Sequence, residues 1–407
     1  MENSLQIALL SDEYLPDGTR VHSKMLHELA LELKQHGHKV IVITPGTKKQ
    51  SKRLKIENLD EIEIWRFRCS QIRGVGLVQR GISETLLSLR AWIAINHKLN
   101  QKKFDLCINY SPTIFFAGLA YILKKQGTCI YLILRDFFPK WMIDQGRIHA
   151  KSPIGLFFRF IEKFNYQISN FIALQSPKNK VLFHKLNPFY SGVTHVVYNW
   201  VSVKKNKKKE SFKIDCIADC CEDKTIFFYG GNMGFAQDMP NLLKLVKNMT
   251  HCKNAHFLFI GDGDQRDLVE KAAVELPNLT FHPSVNQQKF EKILTKVDIG
   301  LFSLSANHTT HNFPGKLLGY MVNGIPILGS INEGNDLKKI LESYGAGKAF
   351  VNGNDTDLKD AAEFLLHNYS YRKNMGLQGI KLSKDLFSVH NAADKIVNSY
   401  FKWKQNN

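Results

Sequence analysis

One lysine in this chain, Lys316, lies where its charge would hold an anion. Residues 312–329 predict a loop, a short helix and a buried strand, because Pro314 and Gly315 precede an apolar run that Gly324 ends. Lys316 therefore falls in the first helical turn, where free N–H groups and the helix dipole favour anions. Since cations prefer the other end of a helix, a lysine here indicates an anion between its ammonium and the helix. A phosphate is the obvious candidate.

The loop before this helix supplies further candidates. His308 and His311 lie three residues apart, a spacing that could bind a metal ion, but ligand contact by an exposed loop is the favoured interpretation. A ligand held at the helix start would also touch the residues beside Lys316. Those candidates are His311, Asn312, Pro314, Gly315 and Leu317.

A glycine-rich turn is predicted early in the second half of the chain. Residues 230–234 follow a predicted strand, Thr225–Tyr229, and precede a helix that starts near Asp238 or Met239. Glycine lets the backbone approach phosphates or sugar hydroxyls closely, although tight turns also use glycine for purely steric reasons. The candidate ligand contacts here are Gly231, Asn232 and Gln237.

A second turn, Gly261-Asp262-Gly263-Asp264, contains a D-x-D pair, which binds a metal ion in some enzymes. The favoured interpretation is an ordinary turn that ends a buried strand, with Asp264 as the N-cap of a helix at 265–275. We therefore expect no metal at this turn and keep Gly261 and Asp262 as candidate ligand contacts.

The first half of the chain offers two more groups. Gly18, Thr19 and Arg20 lie in a loop after the first predicted strand, where Gly18 permits close approach of a substrate. An ordinary turn with a helix cap is the alternative. Arg135 and Asp136 follow a predicted buried strand, so we expect them to face a ligand, although they could also be structural ions with neighbouring partners. Asp136 is the best carboxylate candidate in this half.

These residues need a scaffold, and both halves of the chain predict one in which strands and helices alternate. The pattern indicates an α/β fold of two Rossmann-like, doubly wound domains, with ligands at the carboxyl ends of the strands and in an interdomain cleft. The expected domains are 1–200, 201–382 and a C-terminal helix, 383–407, that crosses back to the first domain. The predicted strands are 5–11, 39–44, 61–67, 105–109, 128–134, 170–175, 193–198, 225–229, 256–260, 279–282, 298–302, 325–328 and 348–351.

Composition narrows the class of protein. The chain has 407 residues, 44% of them hydrophobic, which suits two globular domains. Its net charge is +18, and residues 1–200 hold 28 Lys and Arg against 15 Asp and Glu. A basic half favours an anionic partner such as a phospholipid surface or nucleic acid. Apolar runs fall short of the roughly 18 residues that span a bilayer, and the first residues show no export signal, so we expect a cytoplasmic protein.

Two segments of the first half, 80–103 and 147–163, mix basic with large apolar residues and resemble interfacial helices. Each alone is better explained by a packing face and a solvated face, but together with the basic charge they favour a membrane surface. The seven cysteines are scattered and odd in number, which fits a reducing compartment. Cys216, Cys220 and Cys221 cluster with poor spacing for zinc, so we expect no metal there.

The order and spacing of these motifs resemble the retaining family-4 glycosyltransferases of the GT-B fold over nearly the whole chain. The nearest subgroup is the bacterial O-antigen and capsule transferases, including N-acetyl-L-fucosaminyltransferases. The similarity is carried by residues 13–18, 135–139, 198–200, 229–234, 260–263, 313–321 and 324–326.

This resemblance implies a nucleotide-sugar donor, a UDP-sugar, in the second domain. It implies an acceptor saccharide linked to a lipid diphosphate against the first domain, at the inner face of the cell membrane. Retention would proceed on one face of the donor, with the leaving diphosphate helping to deprotonate the acceptor hydroxyl. The enzyme's main task is then to stabilise negative charge on the diphosphate, and no metal or other cofactor is expected.

Some positions differ from the family pattern. Many relatives carry two glutamates eight residues apart where this chain has His311 and Gly319. Many also clamp the diphosphate with an arginine and a lysine where it has Asn232 and Gln237. The usual catalytic histidine corresponds to Arg135.

The differences leave Lys316 as the strongest cation for the diphosphate, with Arg135 or Arg20 as a second. The resemblance gives catalytic roles to Lys316, Arg135 and Asp136, with Asp136 binding acceptor or donor hydroxyls. Donor contacts are predicted for Gly231, Asn232, Gln237, Gly261, Asp262, His311, Asn312, Pro314, Gly315 and Leu317, and acceptor contacts for Gly18, Thr19 and Arg20.

Other functions fit parts of the sequence. A GT-B nucleotide-sugar 2-epimerase needs acid and base carboxylates facing the sugar, and the sequence offers no convincing set. A non-catalytic scaffold at the membrane fits the missing glutamates. A nucleic-acid module rests on charge alone, without an aromatic RNA motif or a recognition helix, so we expect no nucleic-acid partner.

Overall fold

The computed structural model describes residues 4–18, 21–70, 81, 83–111, 113–144, 146–203 and 223–406. The chain divides into two compact units, Met1–Tyr198 with Val389–Asn407, and Asn199–Ser388. Two predicted site residues, Thr19 and Arg20, and the cysteines at 216–221 lie outside the described residues.

The strands are β1 (Gln6–Leu10), β2 (Lys39–Pro45), β3 (Leu54–Leu59), β4 (Ile62–Phe67), β5 (Leu106–Tyr110), β6 (Cys129–Leu134), β7 (Phe171–Leu174), β8 (Val193–Val196), β9 (Thr225–Asn232), β10 (Ala255–Asp262), β11 (Leu279–Pro283), β12 (Ile299–Ser303), β13 (Ile327–Ile331) and β14 (Gly347–Val351). The helices are α1 (Val21–Gln35), α2 (Leu87–Leu99), α3 (Ala117–Lys125), α4 (Lys140–Asp144), α5 (Pro153–Ile168), α6 (Pro177–Leu186), α7 (Met239–Asn248), α8 (Arg266–Glu275), α9 (Gln287–Leu294), α10 (Lys316–Val322), α11 (Asp336–Tyr344), α12 (Asp355–His367), α13 (Tyr369–Asp385) and α14 (Val389–Gln405).

The sheet of the first unit has the strand order β3-β4-β2-β1-β5-β6-β7-β8. Its strands pair in parallel except β3 and β4, which pair antiparallel. The central strands β1, β5 and β6 are almost wholly buried, as expected for a parallel sheet covered on both faces. The strand order changes direction between β1 and β5, so a crevice for ligands is expected at their carboxyl ends.

The sheet of the second unit is entirely parallel, in the order β11-β10-β9-β12-β13-β14. Its change of direction falls at β9, which pairs with β10 on one side and β12 on the other. A core of Phe, Leu and Ile side chains from these strands packs against α7 and α12. The carboxyl end of β9 is therefore the expected ligand position in this unit.

The structure corrects some predicted elements. The last helix, α14, begins at Val389, whereas Ser383 belongs to α13, because the chain leaves helical structure after Asp385 and re-enters it three residues later. The strand β3 was not predicted, since it has no continuous apolar run and none of its residues is fully buried. Among the described residues, no helix combines the length and apolarity required to cross a bilayer.

Candidate functional site

The two glycine motifs of the second unit are strand ends that pack against each other. Gly231 pairs with Gly261, and Asn232 with Asp262, so these residues continue β9 and β10 instead of following them as turns. A Cβ atom on Gly261 would lie 1.9 Å from the carbonyl oxygen of Gly231, so only glycine fits there. The steric interpretation of the Gly261 motif therefore applies, and the neighbouring strand end at Gly231 and Asn232 is exposed to solvent.

Lys316 meets this strand end. Its Nζ lies 3.3 Å from the ring centroid of Tyr229, and its Cε would lie 3.8 Å from a Cβ placed on Gly231. The structure thus brings together two parts of the predicted site, the lysine and the glycine motif of β9.

The Lys316 ammonium is buried, although the side chain as a whole is only half-buried. Among the described residues it has no hydrogen-bond partner. Burial lowers the pKa of Lys316 well below its ordinary value. An ammonium has three N–H donors and is costly to bury without acceptors, and the face of one aromatic ring replaces only part of its lost hydration. Anionic oxygens would supply what this group lacks.

The helix behind Lys316 contributes less than the sequence suggested. α10 has seven residues, and Gly315 at its N-cap offers no side-chain cap. A dipole summed over so short a helix is small, so the charge available to an anion comes mainly from the ammonium.

Tyr320 fixes α10 against the strand ends. Its hydroxyl lies 3.3 Å from the Phe228 carbonyl and 3.2 Å from the Leu301 carbonyl, and it accepts a hydrogen bond from Gly230 N–H. Burial raises the pKa of this phenol, so it remains a neutral donor. Its ring fits because position 300 is glycine, where a Cβ would lie 2.4 Å from it. Tyr320 therefore sets the position of Lys316, four residues earlier.

Tyr229 forms the floor beneath the ammonium. It is fully buried, its hydroxyl donates to the carbonyl oxygen of Asn232, and burial raises its pKa well above the ordinary value. A neutral phenol ring offers the ammonium the negative face of its π-system without a counter-charge. The ring therefore contacts the amine of Lys316 without pairing it with a negative charge.

Asparagine side chains hold the loop that carries His311 and Asn312. Asn332 donates to the carbonyls of His308 at 2.9 Å and Thr310 at 3.1 Å. Asn335 donates weakly to the Asn312 carbonyl at 3.4 Å, and Asn199 donates to the Phe313 carbonyl at 2.8 Å. These amides, which the sequence did not identify, fix the backbone on the approach to Lys316.

Asn232 and Gln237, which stand where the transferases that the sequence resembles carry cations, contact each other. Asn232 Nδ2 donates to Gln237 Oε1 at 2.8 Å, and Gly234 N–H donates to the same oxygen at 3.3 Å. They hold the turn after β9 and add no charge to it.

In the D-x-D segment, residues 261–264, the predicted helix cap at Asp264 was wrong. Position 265, not 264, is the N-cap of α8, and Gln265 makes no cap bond to that helix. Its Oε1 instead accepts from Met239 N–H at 3.0 Å, which ties the turn to the start of α7. Asp262 is exposed and accepts from Gly263 N–H at 2.9 Å. The contacts that this turn makes within the second unit therefore account for its residue types.

In the first unit, Arg135 is buried and its side chain donates hydrogen bonds to backbone carbonyl groups. Its guanidinium donates to the carbonyls of Val197 at 3.1 Å and Tyr198 at 3.4 Å. Burial lowers the pKa of Arg135. Gln175 in turn donates to the Arg135 carbonyl at 2.8 Å. These contacts favour the structural alternative considered for this residue, and its predicted catalytic role stays a prediction.

Asp136 is half-buried at the end of β6, near the ends of β1 and β5. Burial raises the pKa of Tyr110, at the end of β5, to about 12, and the charges of Arg135, Asp136 and Asp12 act on it as well. His22 lies 3.7 Å from Asp12 and stacks on Tyr110. The sequence alone did not single out Asp12, Tyr110 or His22, although Asp12 and Tyr110 come directly after predicted strands.

Gly18 is packed against the start of α1. Its N–H donates to the Tyr14 carbonyl at 3.0 Å, and a Cβ there would lie 2.4 Å from Ser23 Oγ. Close packing within the unit explains this glycine, and its acceptor role stays a prediction.

The second unit matches a known family. Residues 218–382 match the family model described as Glycosyl transferases group 1. The Pseudomonas aeruginosa protein WbjE, named a probable glycosyltransferase, is 25% identical over 245 residues, which cover 58% of this chain and 60% of that protein. WcaI of Escherichia coli (strain K12), named for glycosyl transfer in colanic acid biosynthesis, is 21% identical over 230 residues, 54% of this chain and 56% of that protein. The chain thus matches little more than half the length of these relatives.

Solved structures match the fold of this chain over nearly its whole length. An Escherichia coli trehalose-6-phosphate structure bound with UDP-2-fluoro glucose superposes with a TM-score of 0.73 at 10% identity, and the match covers 97% of this chain and 98% of that chain. Such likeness concerns the fold alone. Two parallel-sheet α/β domains of the GT-B class are present, and the predicted fold class is confirmed.

Proposed function

We propose that this chain is a retaining glycosyltransferase, which moves a sugar from a UDP-sugar bound by the second unit to a saccharide acceptor during assembly of a bacterial surface polysaccharide. The family match of residues 218–382 and the naming of WbjE and WcaI support the reaction class. The bound UDP-2-fluoro glucose of the E. coli structure supports UDP as the nucleotide.

The observation that carries the proposal is the buried ammonium of Lys316 beside Gly231, at the solvent-exposed end of β9. A donor diphosphate with an oxygen on Lys316 Nζ would give that group its missing acceptors. The same contact would strengthen as negative charge grows on the leaving diphosphate, which is how a fixed cation lowers the barrier of the transfer.

We further propose an acceptor that is linked to a lipid diphosphate and bound by the first unit. Two helices of that unit support a membrane surface as the place of reaction, because they expose large apolar side chains. α3 packs against both helices, so they belong to one face of the unit. The exposed side chains are Leu89, Trp92 and Ile93 on α2, and Ile154, Leu156, Phe157 and Phe160 on α5.

Basic residues accompany this face. Lys98, Lys102 and Lys103 lie on or after α2, and Lys151, Arg159 and Lys163 on or before α5. Apolar side chains flanked by cations match a bilayer with an anionic surface, such as the inner leaflet of the cell membrane.

The experiment that tests the function incubates the full chain with a panel of UDP-sugars and lipid-diphosphate-linked saccharides, with products read by mass spectrometry. We also propose N-acetyl-L-fucosamine as the sugar, from the resemblance to its transferases, and its UDP derivative is one arm of the panel. Growth of the lipid-linked acceptor by one sugar residue is the expected result.

Two outcomes would replace the proposal. Conversion of the nucleotide sugar to its 2-epimer, without a longer acceptor, would establish the epimerase instead. Nucleotide-sugar consumption at background rate with every donor and acceptor, while UDP still raises the unfolding temperature, would establish a non-catalytic scaffold.

A further inference from the structure

Two histidines and two carboxylates join the C-terminal helix of the first unit to its first helix. Glu32 and His36 lie one helical turn apart at the end of α1, and His390 and Asp394 lie one turn apart on α14. The two imidazole rings face each other edge to face with centroids 5.2 Å apart. The cluster is half-buried on the α1 side and open to solvent at His390, whose side chain is 61% exposed.

Glu32 lies between the two rings. Its Oε1 is 3.2 Å from His36 Nε2 and 2.9 Å from His390 Nδ1. Asp394 faces the opposite nitrogen of each ring, at 3.7 Å from His36 Nδ1 and 3.3 Å from His390 Nε2. All four ring nitrogens therefore lie within 3.7 Å of a carboxylate oxygen, and the contact of His390 Nδ1 with Glu32 is a hydrogen bond.

Neutral histidines cannot satisfy this arrangement. A neutral imidazole has one N–H, so each ring would turn one lone pair toward a carboxylate lone pair. Two imidazolium rings would satisfy the four contacts, but they would place two positive charges side by side. One imidazolium, at His390, would satisfy its own two contacts and still leave one lone pair of His36 beside a carboxylate oxygen. A metal ion removes the conflict, because each ring then donates its one N–H to Asp394 and offers its other nitrogen to the metal.

We propose that Glu32, His36 and His390 bind a divalent transition-metal ion of the Zn²⁺ type, and that Asp394 orients both imidazoles. The carboxylate oxygen and two ring nitrogens lie within 4.8 Å of one another, close enough for one ion with metal–ligand bonds of about 2 Å after small side-chain shifts. Imidazole and carboxylate ligands suit Zn²⁺ and its neighbours, and the solvent-exposed side leaves room for bound water. Formation of the site displaces any proton that a ring carries and leaves each histidine neutral.

The ion would fasten α14 to α1. Both helices belong to the first unit and pack directly on each other. A metal bound only by the folded arrangement stabilises that arrangement, so its effect is expected on stability and not on the sugar-transfer step.

The test uses the full chain, stripped of metal with a chelator and titrated with Zn²⁺ in a calorimeter. One Zn²⁺ per chain and a higher unfolding temperature are expected. His390→Ala and Glu32→Gln should each weaken Zn²⁺ binding at least tenfold, and Asp394→Asn should weaken it by about tenfold while keeping one ion per chain. His390 is exposed, so its replacement leaves the packing of α14 intact, which circular dichroism checks.

A second cluster provides the matched control. His251, Cys252 and Glu363 also lie close together, but Lys359 Nζ is 2.8 Å from Glu363 and competes for its charge. His251→Ala should leave Zn²⁺ binding unchanged. The optical spectrum of bound Co²⁺ adds a separate readout, because nitrogen and oxygen ligands give no thiolate charge-transfer band.

Three results would overturn the proposal. They are a wild-type chain that binds no Zn²⁺, a His390→Ala variant that binds it as well as wild type, and a Co²⁺ spectrum with a thiolate band. The first would assign the cluster to protonated histidines, and the third would assign metal binding to cysteines.

Discussion

At the scale of single residues, Lys316 combines a cost to folding with a use in binding. We expect Lys316→Ala to lower turnover by about 10² to 10³-fold, as for removal of one group that stabilises developing negative charge. Lys338→Ala, which removes an exposed lysine from α11 in the same unit, should leave turnover nearly unchanged. Equal losses in both variants would assign the effect to charge in general and not to the position of Lys316.

Lys316→Met should also make the protein more stable at pH 7. A folded pKa depressed below the unfolded value means that the ammonium opposes folding when it is charged. This penalty is fully present at pH below the folded pKa and disappears as pH rises past about 10.5, the unfolded value. The stability gain of the variant should therefore shrink with rising pH, as measured by denaturant unfolding. UDP should raise the unfolding temperature of wild type more than that of the variant.

Replacement by alanine should have opposite effects on the stability of the protein at two glycines of the second unit. Gly261→Ala places a methyl group against the Gly231 carbonyl, which the backbone cannot move aside, so we expect a loss of about 3 kcal/mol or more. Gly319→Ala meets only the flexible end of Leu294, at 3.2 Å, and gains helix propensity of about 1 kcal/mol. Thermal unfolding of both variants measures the difference, and similar losses would contradict it.

At the scale of elements, the loop before α10 depends on amides from elsewhere in the unit. Asn332→Ala leaves the carbonyls of His308 and Thr310 without their shared donor, which should cost about 1 to 3 kcal/mol. Because the loop leads to Lys316, we expect KM for the donor to rise more than kcat falls. Asn323→Ala, which removes a similar side-chain bond at the other end of α10, serves as the control.

Glu162 on α5 should give stability a pH dependence. Burial raises its pKa to about 7, against the lowering effects of the Tyr166 hydrogen bond and of Arg159 and Lys163. A raised folded pKa means that the contribution to stability is present below the unfolded value of 4.5 and is lost as pH rises to 7. Glu162→Gln keeps an acceptor for Tyr166 and does not titrate. The free energy of unfolding of the Glu162→Gln variant, relative to that of wild type, should rise by on the order of 2 kcal/mol between pH 4.5 and 8. A difference independent of pH in denaturant titrations would contradict this.

The sequence predicted the elements that are buried on all sides and missed those that depend on partners. The strands β1 and β6 were predicted in full because buried strands are continuous apolar runs, whereas β9 was predicted only for its apolar part, Thr225–Tyr229, and continues to Asn232. The strand β3 has no such run, since it is held by pairing with β4. A helix cap at Asp264 was inferred from residue type alone and was wrong by one position.

The candidate site was predictable in the same uneven way. Lys316 and Gly231 follow from local pattern, and the structure brings them together. Asn199 and Asn332 could not be found, because their carbonyl partners lie 114, 24 and 22 residues away along the chain. Arg135 follows from its place after β6, but its contacts with Val197 and Tyr198 were not visible in the sequence.

At the scale of the whole molecule, the proposed membrane face can be separated from the rest of the surface. The double variant Phe157→Ser with Phe160→Ser should lose most of its binding to vesicles of anionic phospholipid, because it removes two exposed rings of α5. Phe189→Ser is the control, since that ring is 98% exposed but lies outside α2 and α5. Vesicle sedimentation measures binding, and equal losses in both variants would contradict the assignment of the face.

The first unit is discontinuous in the chain, and this affects the order in which a ribosome can complete it. Residues 1–198 emerge first, but α14, which packs on α1 and contacts β6, emerges only after the whole second unit. At 5 to 20 residues per second, the nascent first unit waits roughly 10 to 40 seconds with the surface beneath α14 uncovered. The side chains that finally cover it are Ala392, Ala393, Ile396, Val397 and Tyr400. The N-terminal unit is thus the last to be finished, and a chaperone that shields apolar surface during synthesis would act on it longest.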